Sequence, residues 1–138
     1  MKYKIVLWLI VSFFFISKVK AEEICFENKV CYDVKIASKI DDLQRGLMWV
    51  KFLSQDKGML FDFRKFDKRN VSMWMKNTFI ALDMVFIGCD NKIQYIYRNA
   101  TPLSLNEISG NSVTCYVLEI NAGQVDSKNL VIGDSMKM

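Results

Sequence analysis

The sequence contains no histidine in 138 residues. That absence excludes a Ser-His or Cys-His nucleophile pair and removes the commonest metal ligand. The four cysteines form no Cys-x-x-Cys pair, so a zinc site would need all four scattered thiols. Proline occurs once, at Pro102, and no low-complexity tract is present, so no linker divides the chain. No internal repeat is visible. Excess charge is also missing once the N-terminus is set aside. Four of the 19 basic residues are Lys2, Lys4, Lys18 and Lys20, which leaves 15 basic against 15 acidic residues in the rest. A neutral domain carries no electrostatic footprint for nucleic acid.

The longest apolar run is short. Ile5 to Ile16 is 12 residues, interrupted only by Ser12. As a helix it would rise about 18 Å, against roughly 30 Å of bilayer hydrocarbon. Lys2 and Lys4 precede it, and Val19-Lys20-Ala21 offers a plausible cleavage site. Residues 1–21 therefore predict a secretory signal peptide, with membrane contact only during export. The competing expectation is an uncleaved anchor, because Lys18 and Lys20 flank the run on its far side. Residues 22–138 are the size of one domain with its own core. The expected location is periplasmic or extracellular.

Export makes disulfides permissible. Cys25, Cys31, Cys89 and Cys115 allow three pairings, which the sequence cannot decide. The favoured pairs are Cys25 with Cys31, across a tight N-terminal turn, and Cys89 with Cys115, at the ends of two expected strands. Free, half-buried thiols are the alternative.

Alternation predicts a strand over 30–37. Ser38 and Asp41 have capping-box spacing before a short helix, with Ile40, Leu43 and Leu47 on one face and Gly46 as its cap. Met59 to Phe63 reads as a strand, and 64–70 as a solvated charged loop. Val71 to Met75 extends into the central segment. Phe79 to Ile87 is apolar on both faces apart from Asp83, so it predicts a strand covered on both sides. A turn at 89–91 leads to a return strand from Ile93. Residues 102–112 read as a loop with one helical turn near Leu105 to Ile108. Val113 to Ile120 predicts another strand, broken by Asn121-Ala-Gly123, and Leu130 to Asp134 would close the sheet. The expected fold is mostly β (α+β): a small barrel-like or strongly curved sheet with one or two short helices, without the βαβ alternation of nucleotide folds.

These residues resemble the domain of unknown function 192 family. Arg45-Gly-Leu-Met48, Gly58-Met-Leu-Phe61, Trp74-Met-Lys-Asn-Thr78, Leu82-Asp83, Val117-Leu-Glu119, Ala122-Gly123 and Gly133-Asp134 follow its order and spacing. The resemblance covers roughly Val30 to Met138. One departure is Ala81, where the family usually has proline. The resemblance implies a compact, mostly β domain, often exported in prokaryotes. It implies no activity.

Arg45, Lys76, Asn77, Asp83 and Glu119 sit at the centres of these motifs. One reading is structural: a carboxylate among apolar residues needs a partner, and Arg45 or Lys76 could supply it for Asp83. A second reading is a site for an unknown small molecule or protein partner. There Arg45 and Lys76 hold an anion, Asn77 and Thr78 hydrogen-bond it, and Trp74, Met48, Met59 and Met75 form an apolar wall. A third is a hydrolase with Asp83 and Glu119 as acid and base. Met48, Met59, Met73, Met75 and Met84 are numerous, and thioethers suit Cu(I). At strand spacing, however, methionine is adaptable core, so no metal or cofactor is expected. The glycosylation patterns Asn70-Val-Ser72 and Asn99-Ala-Thr101 read as chance in a prokaryotic type of chain.

Overall fold

The computed structural model describes residues 21–138 except positions 28 and 70. The signal-peptide expectation falls on residues 1–21, nearly all outside the described residues. Asn70 of the first glycosylation pattern lies outside them too.

The chain is mostly β. The element order is β1 (Glu22–Phe26), β2 (Val30–Ala37), α1 (Ile40–Arg45), β3 (Lys57–Asp62), β4 (Ser72–Met73), β5 (Leu82–Ile87), β6 (Ile93–Ala100), β7 (Ile108–Ser109), β8 (Tyr116–Asn121), α2 (Gln124–Ser127) and β9 (Met136–Lys137). Seven strands form one sheet in the order β6-β5-β8-β3-β2-β1-β9, while β4 and β7 pair apart from it. The large sheet curls until its two ends meet. Lys92 and Ser135 form a bridge there, supported by Ile93 N–H to Asp134 O (2.9 Å) and Met136 N–H to Asn91 O (2.8 Å). The result is a strongly curled half-barrel.

Each face of this sheet carries its own core. Ile24, Phe26, Tyr32, Val34, Leu60, Val85, Ile87, Leu118 and Ile120 pack together on one side. Met59, Phe61, Met84, Phe86 and Val117 point to the other, where Met73, Met75 and Ala100 join them. Successive residues of a strand point to opposite faces, so a strand feeding both cores must be apolar throughout. That is why all six residues of β5 are buried. The outer core is covered by Leu43 of α1, by Leu47 just past its cap, and by the β4–β7 pair.

Several boundaries differ from the sequence reading. Helix α1 starts at Ile40 with Lys39 at its cap and no side-chain capping bond, so the expected Ser38 capping box does not form. The predicted cap at Gly46 is present, with φ +48 and its N–H on Asp42 O. Strand β1 lies outside every strand the sequence predicts; it pairs antiparallel with β2, bringing Cys25 opposite Cys31. Cys25–Cys31 and Cys89–Cys115 are the two disulfides, as favoured. Residues 79–81 lie outside the central strand, and Phe79 is exposed. The helical turn near Leu105 is absent; Ile108 instead pairs with Met73 across β4–β7. Met136–Lys137 rather than Leu130 to Asp134 completes the sheet. One pair, β2 with β3, is parallel, while the other described strand pairs are antiparallel. A parallel pair needs a crossover, and this one carries α1 over the outer core.

Candidate functional site

The crossover from β2 to β3 sets α1 beside the turn that follows β4. The turn closes with Thr78 N–H on Met75 O (3.1 Å) and is tied to α1's exit by Trp49 N–H on Asn77 O (2.8 Å). Trp49 and Asn77 both adopt left-handed backbone, with φ of +68 and +53. Such conformations are costly for a bulky residue like tryptophan and tend to mark functional positions. Between the two segments runs an open groove lined by Asp41, Gln44, Arg45, Met48, Trp49, Trp74, Lys76 and Asn77. The Lys76 ammonium lies 5.0 Å from the centroid of the Trp74 ring, and the Asn77 amide reaches Met48 Sδ at 3.9 Å.

Arg45 and Lys76 reach this groove without acidic partners. Among the described residues the ion pairs are Lys29–Asp134, Arg64–Asp62, Arg69–Asp67 and Arg98–Asp126. Asp41 lines the groove too but lies beyond 4.0 Å of either cation. Beside the groove, and sharing Gln44, Arg45, Met48, Trp74 and Lys76 with it, is a hole of about 20 Å³ also lined by Gly46, Leu47, Phe61, Met73, Thr78 and Glu119. A second, apolar trough of about 390 Å³ also borders Trp74, but Asp67 is its one charged lining residue and Arg69 engages it.

Glu119 forms the floor. It enters from β8, where it pairs with Met59 and Met84 on the outer face of the sheet. It is 4 % exposed. No hydrogen bond or ion pair reaches its carboxylate from the described residues. The exit of α1 passes over it: a Cβ added at Gly46 would stand 3.8 Å from Glu119 Oε2 and 2.9 Å from Phe61. Burial without donors pushes its pKa from 4.5 up to about 8.

Asp83 belongs to a different environment. It pairs with Ile120 on the inner face. Its two oxygens accept the backbone N–H groups of Asn99 (2.9 Å) and Val125 (3.0 Å). Those bonds tie β6 and α2 to the central strand. Its charge, after burial, helps push the Tyr32 phenol up to about 12, and the Tyr32 hydroxyl donates to Gln124 Oε1 (3.1 Å). Neither Arg45 nor Lys76 pairs with it, so the expected partners for this carboxylate are replaced by backbone amides.

The structure therefore divides the residues singled out in the sequence. Arg45, Trp74, Lys76, Asn77, Thr78 and Glu119 line one groove and its floor. Asp83 lies behind the sheet. Two carboxylates on opposite faces have backbone between them and cannot flank one bond, so nothing supports the acid and base pair expected of a hydrolase. Met48 is part of the wall, but Met59 and Met75 are core residues. Sequence reasoning missed Trp49 and Gln44. Trp49 follows the helix and belongs to no periodic segment, so no pattern flagged it. Cys25 and Cys31 gather with Glu23, but both sulfurs are committed to the disulfide.

Comparison with known proteins gives a family and no activity. No curated protein matches the chain. A protein of unknown function from Novosphingobium aromaticivorans DSM 12444 has a crystal structure with TM-score 0.81 at 25 % identity, covering 89 % of each chain. A proposed transcription regulator from Sinorhizobium meliloti 1021 gives TM-score 0.79 at 35 % identity, covering 86 % of this chain and 94 % of that one. The family DUF192, described as Uncharacterized ACR, COG1430, matches residues 23–138. On that match over most of its length, the chain belongs to the DUF192 family, whose function is unknown.

Proposed function

We propose that this chain is an exported binding protein that captures a small anionic molecule in the groove between α1 and the turn at 74–78. One observation carries the reading: Arg45 and Lys76 line a single groove with no carboxylate of the described residues within 4.0 Å of either. A protein that wanted these charges only for solubility would have no reason to set them beside an amide and two tryptophan faces. An anion between them would gain charge-assisted hydrogen bonds from both cations and from Asn77. Trp74 and Trp49 supply flat apolar contact of the kind that ligand sites combine with a few polar groups. Export to the periplasm or beyond is supported by the character of residues 1–21 and by two disulfides, which persist in oxidising compartments. Among the described residues no helix is long and apolar enough to cross a membrane.

The test is a titration with short carboxylic acids and with inorganic phosphate, followed by tryptophan fluorescence and indole N–H shifts. Binding should weaken at least tenfold in the double variant R45A/K76A and should weaken with added salt. Affinities that ignore both changes would remove this reading.

A further inference from the structure

The floor of the groove has chemistry that an anion alone does not satisfy. Glu119 is only 4 % exposed and has no donor among the described residues. Its oxygens are not sealed off, because the hole opens onto them. The fold knows how to serve a buried carboxylate: on the neighbouring strand Asp83 receives two backbone N–H groups. Glu119 receives none. Thr78 lines the same hole, and its hydroxyl donates to Lys76 O at 3.1 Å. With that proton engaged, the hydroxyl oxygen has only lone pairs to offer. Once Glu119 is ionised, the polar groups at the floor are therefore all acceptors. About 20 Å³ admits one water-sized group. The C-terminal end of α1, where the peptide dipoles favour positive charge, passes directly over it.

We infer that the molecule held in this groove is a small zwitterion, with its anionic group between Arg45 and Lys76 and its ammonium group seated in the hole on Glu119. This rests on the anion-binding reading of the groove. An ammonium head is water-sized and brings three donors to a cluster of acceptors. It also supplies the positive charge that lets a buried carboxylate ionise. Arg45 and Lys76 above the hole repel a simple cation, so an amine enters only when an attached anion neutralises them. The walls between the two poles are Trp74, Met48 and Leu47, which suits a short apolar spacer.

Ionising Glu119 on capture has a measurable consequence. With a pKa of about 8, the free carboxyl is about nine-tenths protonated at pH 7, so seating an ammonium expels close to one proton. Affinity for the amine should then rise about tenfold per pH unit between pH 5 and 7.5.

The experiment compares matched probes on the exported, disulfide-bonded protein: glycine with acetate, β-alanine with propionate, and 4-aminobutyrate with butyrate. The expected result is that one amino acid binds at least tenfold more tightly than its des-amino partner. It should release close to one proton in weakly buffered solution at pH 7, and its affinity should climb with pH while the partner's stays flat. E119Q should bring the amino acid down to the level of its partner. R45A/K76A should weaken both members of the pair. If E119Q does not fold, proton release and the pH slope of the natural chain separate the same two outcomes. Equal binding within every pair, without proton release, would overturn the zwitterion while leaving the anion groove in place. If neither member of any pair binds, the anion groove falls and the zwitterion with it.

Discussion

Glu119 should make this protein less stable as pH rises through neutrality, against the usual behaviour of carboxylates. Its pKa is pushed from 4.5 up to about 8 because burial penalises the charged form. Between those values the folded chain holds a proton that the unfolded chain has lost. The contribution is therefore fully present below pH 4.5 and declines as pH climbs toward 8. Each pH unit is worth about 1.4 kcal/mol, so the change from pH 5 to 7.5 amounts to about 3 kcal/mol. Against a total stability of roughly 5–15 kcal/mol that is a large share. Other acids act in the opposite direction. Asp62 is held low by its hydrogen bond from Arg64. Burial alone would raise Asp134, but hydrogen bonds from Lys29 and the Val131 N–H outweigh it and lower its pKa. Both give stability that is lost as pH falls. The raw stability curve mixes these effects, so the assay is a difference. Urea unfolding of the natural chain and of E119Q, both oxidised, is compared at half-unit steps across this range. Glutamine cannot ionise, so the variant should gain about 3 kcal/mol on the natural chain between pH 5 and 7.5, at unchanged m-value. A difference that stays flat with pH would mean that Glu119 is hydrated or paired in solution, and the bare floor of the groove would be refuted.

Asp83→Ala should cost about 3–5 kcal/mol in urea unfolding, because it strips the Asn99 and Val125 N–H groups of their shared acceptor; a loss under 1 kcal/mol would mean that water replaces the carboxylate easily. Gly46→Ala should cost about 1–3 kcal/mol in the same assay, since the new methyl meets Phe61 at 2.9 Å on a backbone with φ +48, and a neutral result would show that the exit of α1 relaxes freely. Replacing Cys89 and Cys115 by alanine should destabilise by about 3.5 kcal/mol and replacing Cys25 and Cys31 by about 2 kcal/mol, because the closed loops span 26 and 6 residues. Equal losses in thermal unfolding would show that strand pairing, not loop closure, sets those values.

The fold was legible where one rule governed a segment. The strand expected over Val30 to Ala37 has the bounds of β2, and the doubly apolar run through Met84 and Ile87 announced a strand with a core on each side. Reading failed where tertiary pairing decides. Glu22–Phe26 has two leading glutamates and no clean alternation, and it becomes a strand because β2 and β9 hold it on both edges. Leu105 to Ile108 has helical composition, yet Ile108 is taken by Met73. The site followed the same division. Arg45, Lys76, Asn77 and Thr78 were findable because they cluster in sequence motifs. That Glu119 joins them and Asp83 does not depends on strand register, which places neighbouring positions on opposite faces.

The register at β5 and β8 also explains how one sheet can serve both structure and ligand. Asp83 and Glu119 lie on adjacent strands, one residue out of register with each other. Their chemistry diverges because the two faces are covered by different things. Behind the sheet, α2 and the end of β6 present backbone amides, which are fixed donors and satisfy Asp83 permanently. In front of it the chain leaves α1 at Gly46, whose N–H is engaged by Asp42 O and not by the carboxylate. The first arrangement locks elements together. The second leaves a desolvated acid under an opening flanked by two cations, a cost that a folding-only role does not recover. A buried acid kept without a donor is best explained by something that arrives with one.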